Sequence, residues 1–156
     1  MQEIERKFLV KGNFKKDVIR QEKIVQGFLS TVPERTVRIR IKDDKGFLTI
    51  KGIGNKSGTT RFEFEKEISV SEANSLLEIC EEGVINKTRY IINANDNLFF
   101  EVDEFYGDNK GLIVAEIELP TEDTIFDKPN WLGKEVTGKK RYYNSELKNN
   151  PFKNWK

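Results

Sequence analysis

Two glutamates spaced i, i+2 open this chain, in Glu3-Ile4-Glu5-Arg6-Lys7, and an apolar run, Phe8-Leu9-Val10, follows them. Alternate residues of a strand leave opposite faces, so Glu3, Glu5 and Lys7 share one face while Ile4, Phe8 and Val10 share the other. The two carboxylates then stand about 7 Å apart along one row. Like charges at that spacing repel unless a cation lies between them, and hard ions such as Mg²⁺ or Mn²⁺ prefer carboxylate oxygens. Taken alone, the row reads either as a metal or phosphate site or as the wet outer face of a strand.

The pattern recurs at Arg38/Arg40, Lys51, Glu63/Glu65, Lys87/Arg89, Glu101/Asp103 and Glu116/Glu118. A solvated face mixes signs and includes Thr, Ser and Gln; repeated same-sign pairs cost stability unless partners or ligands offset them. If these faces turn inward, the lumen cannot be an empty apolar core and has to hold water, ions and a highly charged ligand. A polyanion bound with a divalent cation satisfies both signs: the cation meets the carboxylates, and Arg and Lys meet the phosphate oxygens.

Strands are what such rows require, and the sequence supplies them. The clearest spans Arg35 to Lys42, with Val37, Ile39 and Ile41 on one face and Thr36, Arg38, Arg40 and Lys42 on the other. Asp43 to Gly46 reads as a hairpin turn into a partner over Phe47 to Gly52. Further strands are expected over Glu3 to Val10, Ile19 to Ser30, Arg61 to Ile68, Val84 to Ile92, Asn97 to Tyr106 and Leu112 to Leu119. One segment has helical period, capped by Ser71, with Ala73, Leu76, Leu77 and Cys80 on its apolar stripe and Gly83 as its stop. A short helix is expected from Asn144 to Asn149, after an extended piece at Glu135-Val136-Thr137. Eight strands with short connections and few helices imply an α+β chain built on an eight-stranded antiparallel β-barrel with flanking helices, in a single domain over 1–156.

Composition removes several chemistries. There is no histidine, which excludes Ser-His-Asp and Cys-His nucleophile systems and most zinc sites. The single Cys80 cannot form an internal disulfide and reads as a core residue. The 27 Lys and Arg nearly balance the 26 Asp and Glu, so no general affinity for nucleic acid or membranes is expected. With no signal-like or membrane-length apolar run, the expected location is the cytoplasm. A homodimer is the default expectation for assembly.

The E-x-E-x-K form of Glu3 to Lys7 resembles the CYTH superfamily, the triphosphate tunnel metalloenzymes. Later segments resemble it in the same order: Val37-Arg38-Ile39-Arg40, Leu48-Thr49-Ile50-Lys51-Gly52, Glu63-Phe64-Glu65, Asn86-Lys87-Thr88-Arg89-Tyr90, Glu101-Val102-Asp103-Glu104-Phe105 and Ala115-Glu116-Ile117-Glu118-Leu119. Trp131 to Gly138, with Arg141-Tyr142 after it, is similar to the compact bacterial branch. The resemblance implies a tunnel that binds a triphosphate end to end and acts on it with Mg²⁺ or Mn²⁺. It implies Glu3, Glu5, Glu116 and Glu118 as metal ligands, with Glu63, Glu65, Glu101 and Asp103 as acidic neighbours for a second ion. Lys7, Arg38, Arg40, Lys51, Lys87 and Arg89 would bind the substrate, and Lys7, Lys51 and Glu63 are the candidate catalytic groups. The implied reaction is hydrolysis of inorganic triphosphate to pyrophosphate and phosphate, with weaker action on nucleoside triphosphates. Adenylate cyclase or thiamine triphosphatase chemistry in the same tunnel is one alternative, and a non-catalytic polyphosphate- or nucleotide-binding module is another. Two positions depart from the pattern: Phe28 stands where the branch often has tyrosine, and Lys139 where it often has an acid.

Overall fold

The computed structural model describes residues 2–155. Nine strands dominate: β1 Gln2–Val10, β2 Val18–Ser30, β3 Thr36–Lys42, β4 Lys45–Lys51, β5 Thr60–Ile68, β6 Ile85–Asn93, β7 Phe99–Phe105, β8 Ile113–Glu118 and β9 Leu132–Glu135. The sheet order is β5-β4-β3-β2-β6-β7-β8-β1-β9, and an additional β1–β5 pairing closes the first eight strands into an antiparallel barrel. One edge of β1 runs along β8 from Glu5 to Leu9. Its other edge is divided: Gln2 to Ile4 pair with β5, and Phe8 to Val10 pair with β9. The β9 strand lies just ahead of the expected extended piece and shares only Glu135 with it.

Alternation fixes what faces inward. Across the β2–β6 and β2–β3 ladders, Ile24 pairs with Lys87 and Lys42, Gln26 with Ile85 and Arg40, and Phe28 with Arg38. Paired residues share a face, so every charged row named from the sequence is on the lumen side. The same faces turn apolar toward one end, where Phe28, Ile85, Phe105 and Val114 meet Leu147 of the short helix α2, Asn144–Leu147. The lumen therefore has charged walls and an apolar floor.

The outer face of β1, β6, β7 and β8 carries a second cluster built on Phe8, Phe100, Val102, Ala115 and Ile117, covered by Phe14, Phe126 and Trp131. Arg6, on that outer face, donates to both carboxylate oxygens of Glu135 at 2.9 and 2.6 Å and ties β9 to β1. Helix α1, Val70–Glu78, rests on the outside of β2, β3 and β4 with Ala73 fully buried. A Cβ at Gly46 would stand 2.9 Å from Ala73 Cβ, so the close seat of α1 depends on that glycine.

Four local expectations change. The helix cap is Ser69, not Ser71: Ser69 and Glu72 exchange side-chain and backbone hydrogen bonds in a reciprocal capping box. The helix also ends at Glu78, ahead of Gly83, because the chain turns back to β2, where Glu81 N donates to Phe28 O at 2.8 Å. Cys80 is consequently half-buried against Gly27 and is not in the centre of a core. The β3–β4 turn is Asp43-Asp44 alone, with Lys42 paired to Lys45 and Asp43 at φ 54°.

At the open end two loops cross. Gly58 (φ 74°) and Gly138 (φ 77°) touch backbone to backbone, and a Cβ on Gly58 would collide with Gly138 Cα. Left-handed backbone and backbone contact together leave an alanine no outlet. Gly58→Ala is expected to lower unfolding free energy by about 2–4 kcal/mol, read from urea denaturation.

Candidate active site

The lumen forms a cavity of about 230 Å³. Its walls include Glu3, Glu5 and Lys7 of β1, Arg38 and Arg40 of β3, Lys51 of β4, Glu63 and Glu65 of β5, Lys87 and Arg89 of β6, Glu101 of β7, and Glu116 and Glu118 of β8. All the site residues named from the sequence line it except Asp103.

The acids concentrate on β1 and β8, where Glu5 stands opposite Glu118 and Lys7 opposite Glu116. Burial, then the neighbouring Glu116, push the Glu5 carboxyl well above the usual carboxylate range, and the two groups are close enough to share a hydrogen bond. Glu116 sits low: burial opposes its charge, but Lys7, the Glu5 contact and Arg89 outweigh it. Burial, then Glu3 and Glu101, raise Glu118. Beside them Glu3 accepts from Lys51 Nζ at 2.8 Å, and Lys51 also lies 3.4 Å from Glu63. Burial disfavours the Glu3 charge, yet Lys51 holds Glu3 below its ordinary value. Glu63 is raised by burial and by Glu3.

The donor set fits a hard divalent cation. It offers carboxylate oxygens from adjacent strands and sets Glu5 close enough to Glu116 for the two charges to repel. Among the described residues no three acidic side chains yet converge closely enough to hold an ion together.

The opposite wall is cationic. Arg40 and Arg38 reach Glu65 Oε2 at 3.2 and 3.5 Å, and Thr49 Oγ1 donates to the same oxygen at 2.7 Å. One carboxylate serves two guanidiniums, and the Nε atoms of both arginines are buried without a partner. Burial and mutual repulsion with Arg89 pull both arginines down from their usual range, as expected of cations gathered without enough counter-charge. Lys7 Nζ lies 3.4 Å from the Tyr142 carbonyl and 5.0 Å from the Tyr143 ring centroid.

Asp103 occupies a different place from the one the sequence suggested. It is buried behind the cationic wall, accepting from Arg89 at 2.8 and 2.9 Å and from Lys87 Nζ at 2.8 Å. Burial raises carboxyls, but Arg89 and Lys87 keep this one below its ordinary value. Lys87 is itself pulled down to about 8 by burial, which outweighs Asp103.

The lumen also recruits residues that the sequence reading did not single out. Thr36 and Lys42, which alternation already places on the Arg38 and Arg40 face, and Arg61, in the row of Glu63 and Glu65, extend the inward rows of β3 and β5 although none was named as a site residue. Tyr143, Asn144 and Ser145 also line it, from the tail around α2, and no periodicity announces a tail segment that folds across a barrel mouth. Phe28 lines the cavity next to the floor, with no hydroxyl to offer. Lys139 does not line it; Lys140, one residue on, lines a separate recess beside the mouth.

Comparison with known proteins agrees with this arrangement. A CYTH domain model matches residues 1–149. An inorganic triphosphatase of Acetivibrio thermocellus is 48% identical over 155 residues, 99% of this chain and 97% of that protein. One of Nitrosomonas europaea is 36% identical over 151 residues, covering 94% and 97%. A crystal structure of an inorganic triphosphatase superposes with a TM-score of 0.66 at 34% identity, covering 92% of this chain and 95% of that one. With nearly its whole length matched and its charged rows folded into one lumen, the chain belongs to the CYTH family.

Proposed function

We propose that this protein hydrolyses inorganic triphosphate to pyrophosphate and phosphate, using Mg²⁺ or Mn²⁺. The observation that carries the reading is a single lumen lined by both signs of charge: Lys7, Arg38, Arg40, Lys51, Lys87 and Arg89 together with Glu3, Glu5, Glu116 and Glu118. Full-length similarity to two inorganic triphosphatases supports it. A linear triphosphate carries its charge along its length, and a lumen with cations on several strands can hold all three phosphoryl groups at once.

Glu3, Glu5, Glu116 and Glu118 would hold the divalent ion, and Glu63, Glu65 and Glu101 would stand ready for a second. When bound, such an ion neutralises phosphoryl oxygens and favours in-line attack by water. The chain's own groups do the rest. Lys7 and Lys51 place positive charge against the phosphoryl being transferred, and Lys51 stays protonated because Glu5 and Glu3 outweigh its burial. Glu63, raised and within reach of Lys51, orients a water and accepts its proton. Arg38, Arg40 and Arg89 grip the remaining oxygens, with Asp103 holding Arg89 and Lys87 in place from behind.

Phosphate release from tripolyphosphate, ATP and thiamine triphosphate, each with Mg²⁺, Mn²⁺ or chelator, tests the proposal. Fast metal-dependent release from tripolyphosphate above the other two supports it; cyclic nucleotide from ATP, or binding without turnover, overturns it. A second expected result concerns stability. Tripolyphosphate should raise the melting temperature of the metal-free protein as its concentration rises, because it relieves repulsion among the lumen cations. At a concentration 100-fold above its Kd the gain is about 2.7 kcal/mol. An unchanged melting curve at millimolar tripolyphosphate would count against a cationic binding wall.

A further inference from the structure

The tail residue Asn144 reaches the lumen wall and meets two side chains there. Its Oδ1 accepts from Lys87 Nζ at 3.0 Å and from Gln26 Nε2 at 2.9 Å. The direction of this chain of bonds is dictated by the ammonium. Lys87 can only donate, so Asn144 has to present its carbonyl oxygen, and Gln26 has to present its NH₂ to the same oxygen. A cost of that orientation is visible: Gln26 is fully buried, and its Oε1 has no hydrogen-bond partner. A buried amide carbonyl left unpaired is expensive, and the orientation persists because the Lys87 ammonium can only donate.

The consequence lies on the other branch of the Asn144 amide. With Oδ1 occupied, Nδ2 is turned away from Lys87 and Gln26, and it makes no hydrogen bond among the described residues. It is not sealed either, since the buried side-chain atoms without partners are Gln26 Oε1, Arg38 Nε, Arg40 Nε and Trp131 Nε1. Asn144 lines the lumen. We propose that Asn144 is a substrate-binding residue, whose Nδ2, fixed by the Lys87 and Gln26 bonds to its oxygen, donates to a phosphoryl oxygen of the triphosphate. This rests on the triphosphatase reading and adds to it a neutral donor supplied by the tail. Unlike the arginines and lysines around it, that donor binds without adding to the repulsion among cations in the empty lumen.

Asn144→Asp keeps an acceptor for Lys87 and Gln26 but replaces the Nδ2 donor with a second carboxylate oxygen. Its charge also repels the triphosphate, so the proposal requires a loss of binding and the Lys87→Met cycle below assigns that loss to the donor. Titration calorimetry with tripolyphosphate in chelator, and steady-state kinetics with Mg²⁺, are the readouts. Asn144→Asp is expected to weaken metal-free binding at least about tenfold and to raise KM, with a melting temperature no lower than wild type. Asn144→Ala, made also in a Lys87→Met background, covers the case in which the aspartate variant fails to fold. A tripolyphosphate donor should still cost several-fold in affinity when Lys87 is gone. Wild-type binding by Asn144→Asp, or an alanine effect that vanishes in Lys87→Met, overturns the proposal while leaving the triphosphatase reading intact. A wild-type protein that neither binds nor hydrolyses tripolyphosphate overturns both.

Discussion

Glu3→Gln with Glu5→Gln is expected to abolish metal-dependent release of phosphate from tripolyphosphate, by about 10²–10³-fold or more, while the protein stays folded. Both residues lie on the lumen face of β1, beside Glu116 and Glu118 of β8, so the double variant removes half of the proposed ligand set. Stability should move the other way for Glu5. Ionising Glu5 against buried Glu116 is unfavourable, and glutamine keeps the shape without the charge. Glu5→Gln alone is therefore expected to stabilise the metal-free protein by about 1 kcal/mol, a rise of roughly 2–4 °C in melting temperature. Glu3 differs, because its carboxylate already serves Lys51 at 2.8 Å. Glu3→Gln alone should give no such gain. Calorimetry in chelator reads these differences, and retained turnover in the double variant would remove the carboxylates from the mechanism.

Asp103→Asn should be the most damaging single substitution in the lumen wall. It leaves Lys87 and Arg89 buried beside one another with no carboxylate between them, and breaking a buried ion pair from one side costs about 3–5 kcal/mol. The melting temperature should fall by about 10–15 °C. Tripolyphosphate should recover more of the loss than it adds to the wild type, since it supplies the missing negative charge. The pH dependence has a definite sign. Asp103 is held below its ordinary value by Arg89 and Lys87, so its contribution is complete above the unfolded pKa, about pH 4, and is lost as pH falls toward the depressed native value. The variant should lack that acid limb. Equal acid sensitivity in Asp103→Asn and wild type would show that the network does not carry it.

Most of the barrel could be read from the sequence because strict alternation determines faces. Once Val37, Ile39 and Ile41 are placed outside, Arg38 and Arg40 have to be inside, and the same logic puts Glu63, Glu65, Lys87 and Arg89 in the lumen. What alternation cannot give is depth along the strand. Asp103 shares the face of Glu101, yet it sits one pair closer to the apolar floor, where Arg89 and Lys87 take its oxygens. The apolar floor was also hidden, since Phe28, Ile85, Phe105 and Val114 look like ordinary core residues whichever face they occupy. Ser69 was missed as a cap although the signal was present: Ser69 and Glu72 have the spacing of a capping box, which Ser71 lacks. Tyr143 to Ser145 had no local signal, because their place depends on a tail crossing the barrel rather than on their neighbours in sequence.

The divided edge of β1 has a consequence for how the chain is made. Its first half waits for β5, its second half for β9, and its opposite edge for β8, so β1 leaves the ribosome ahead of every strand it pairs with and is among the last strands to be fully paired. Until residues near 113–135 have been synthesised, two glutamates and a lysine sit on a strand with open edges, and no partial product of translation has a site. Pairings across more than 100 residues close slowly, and an unpaired strand is where a nascent chain meets its neighbours. The charges of Glu3, Glu5 and Lys7 would then keep that exposed edge soluble until the barrel closes over them.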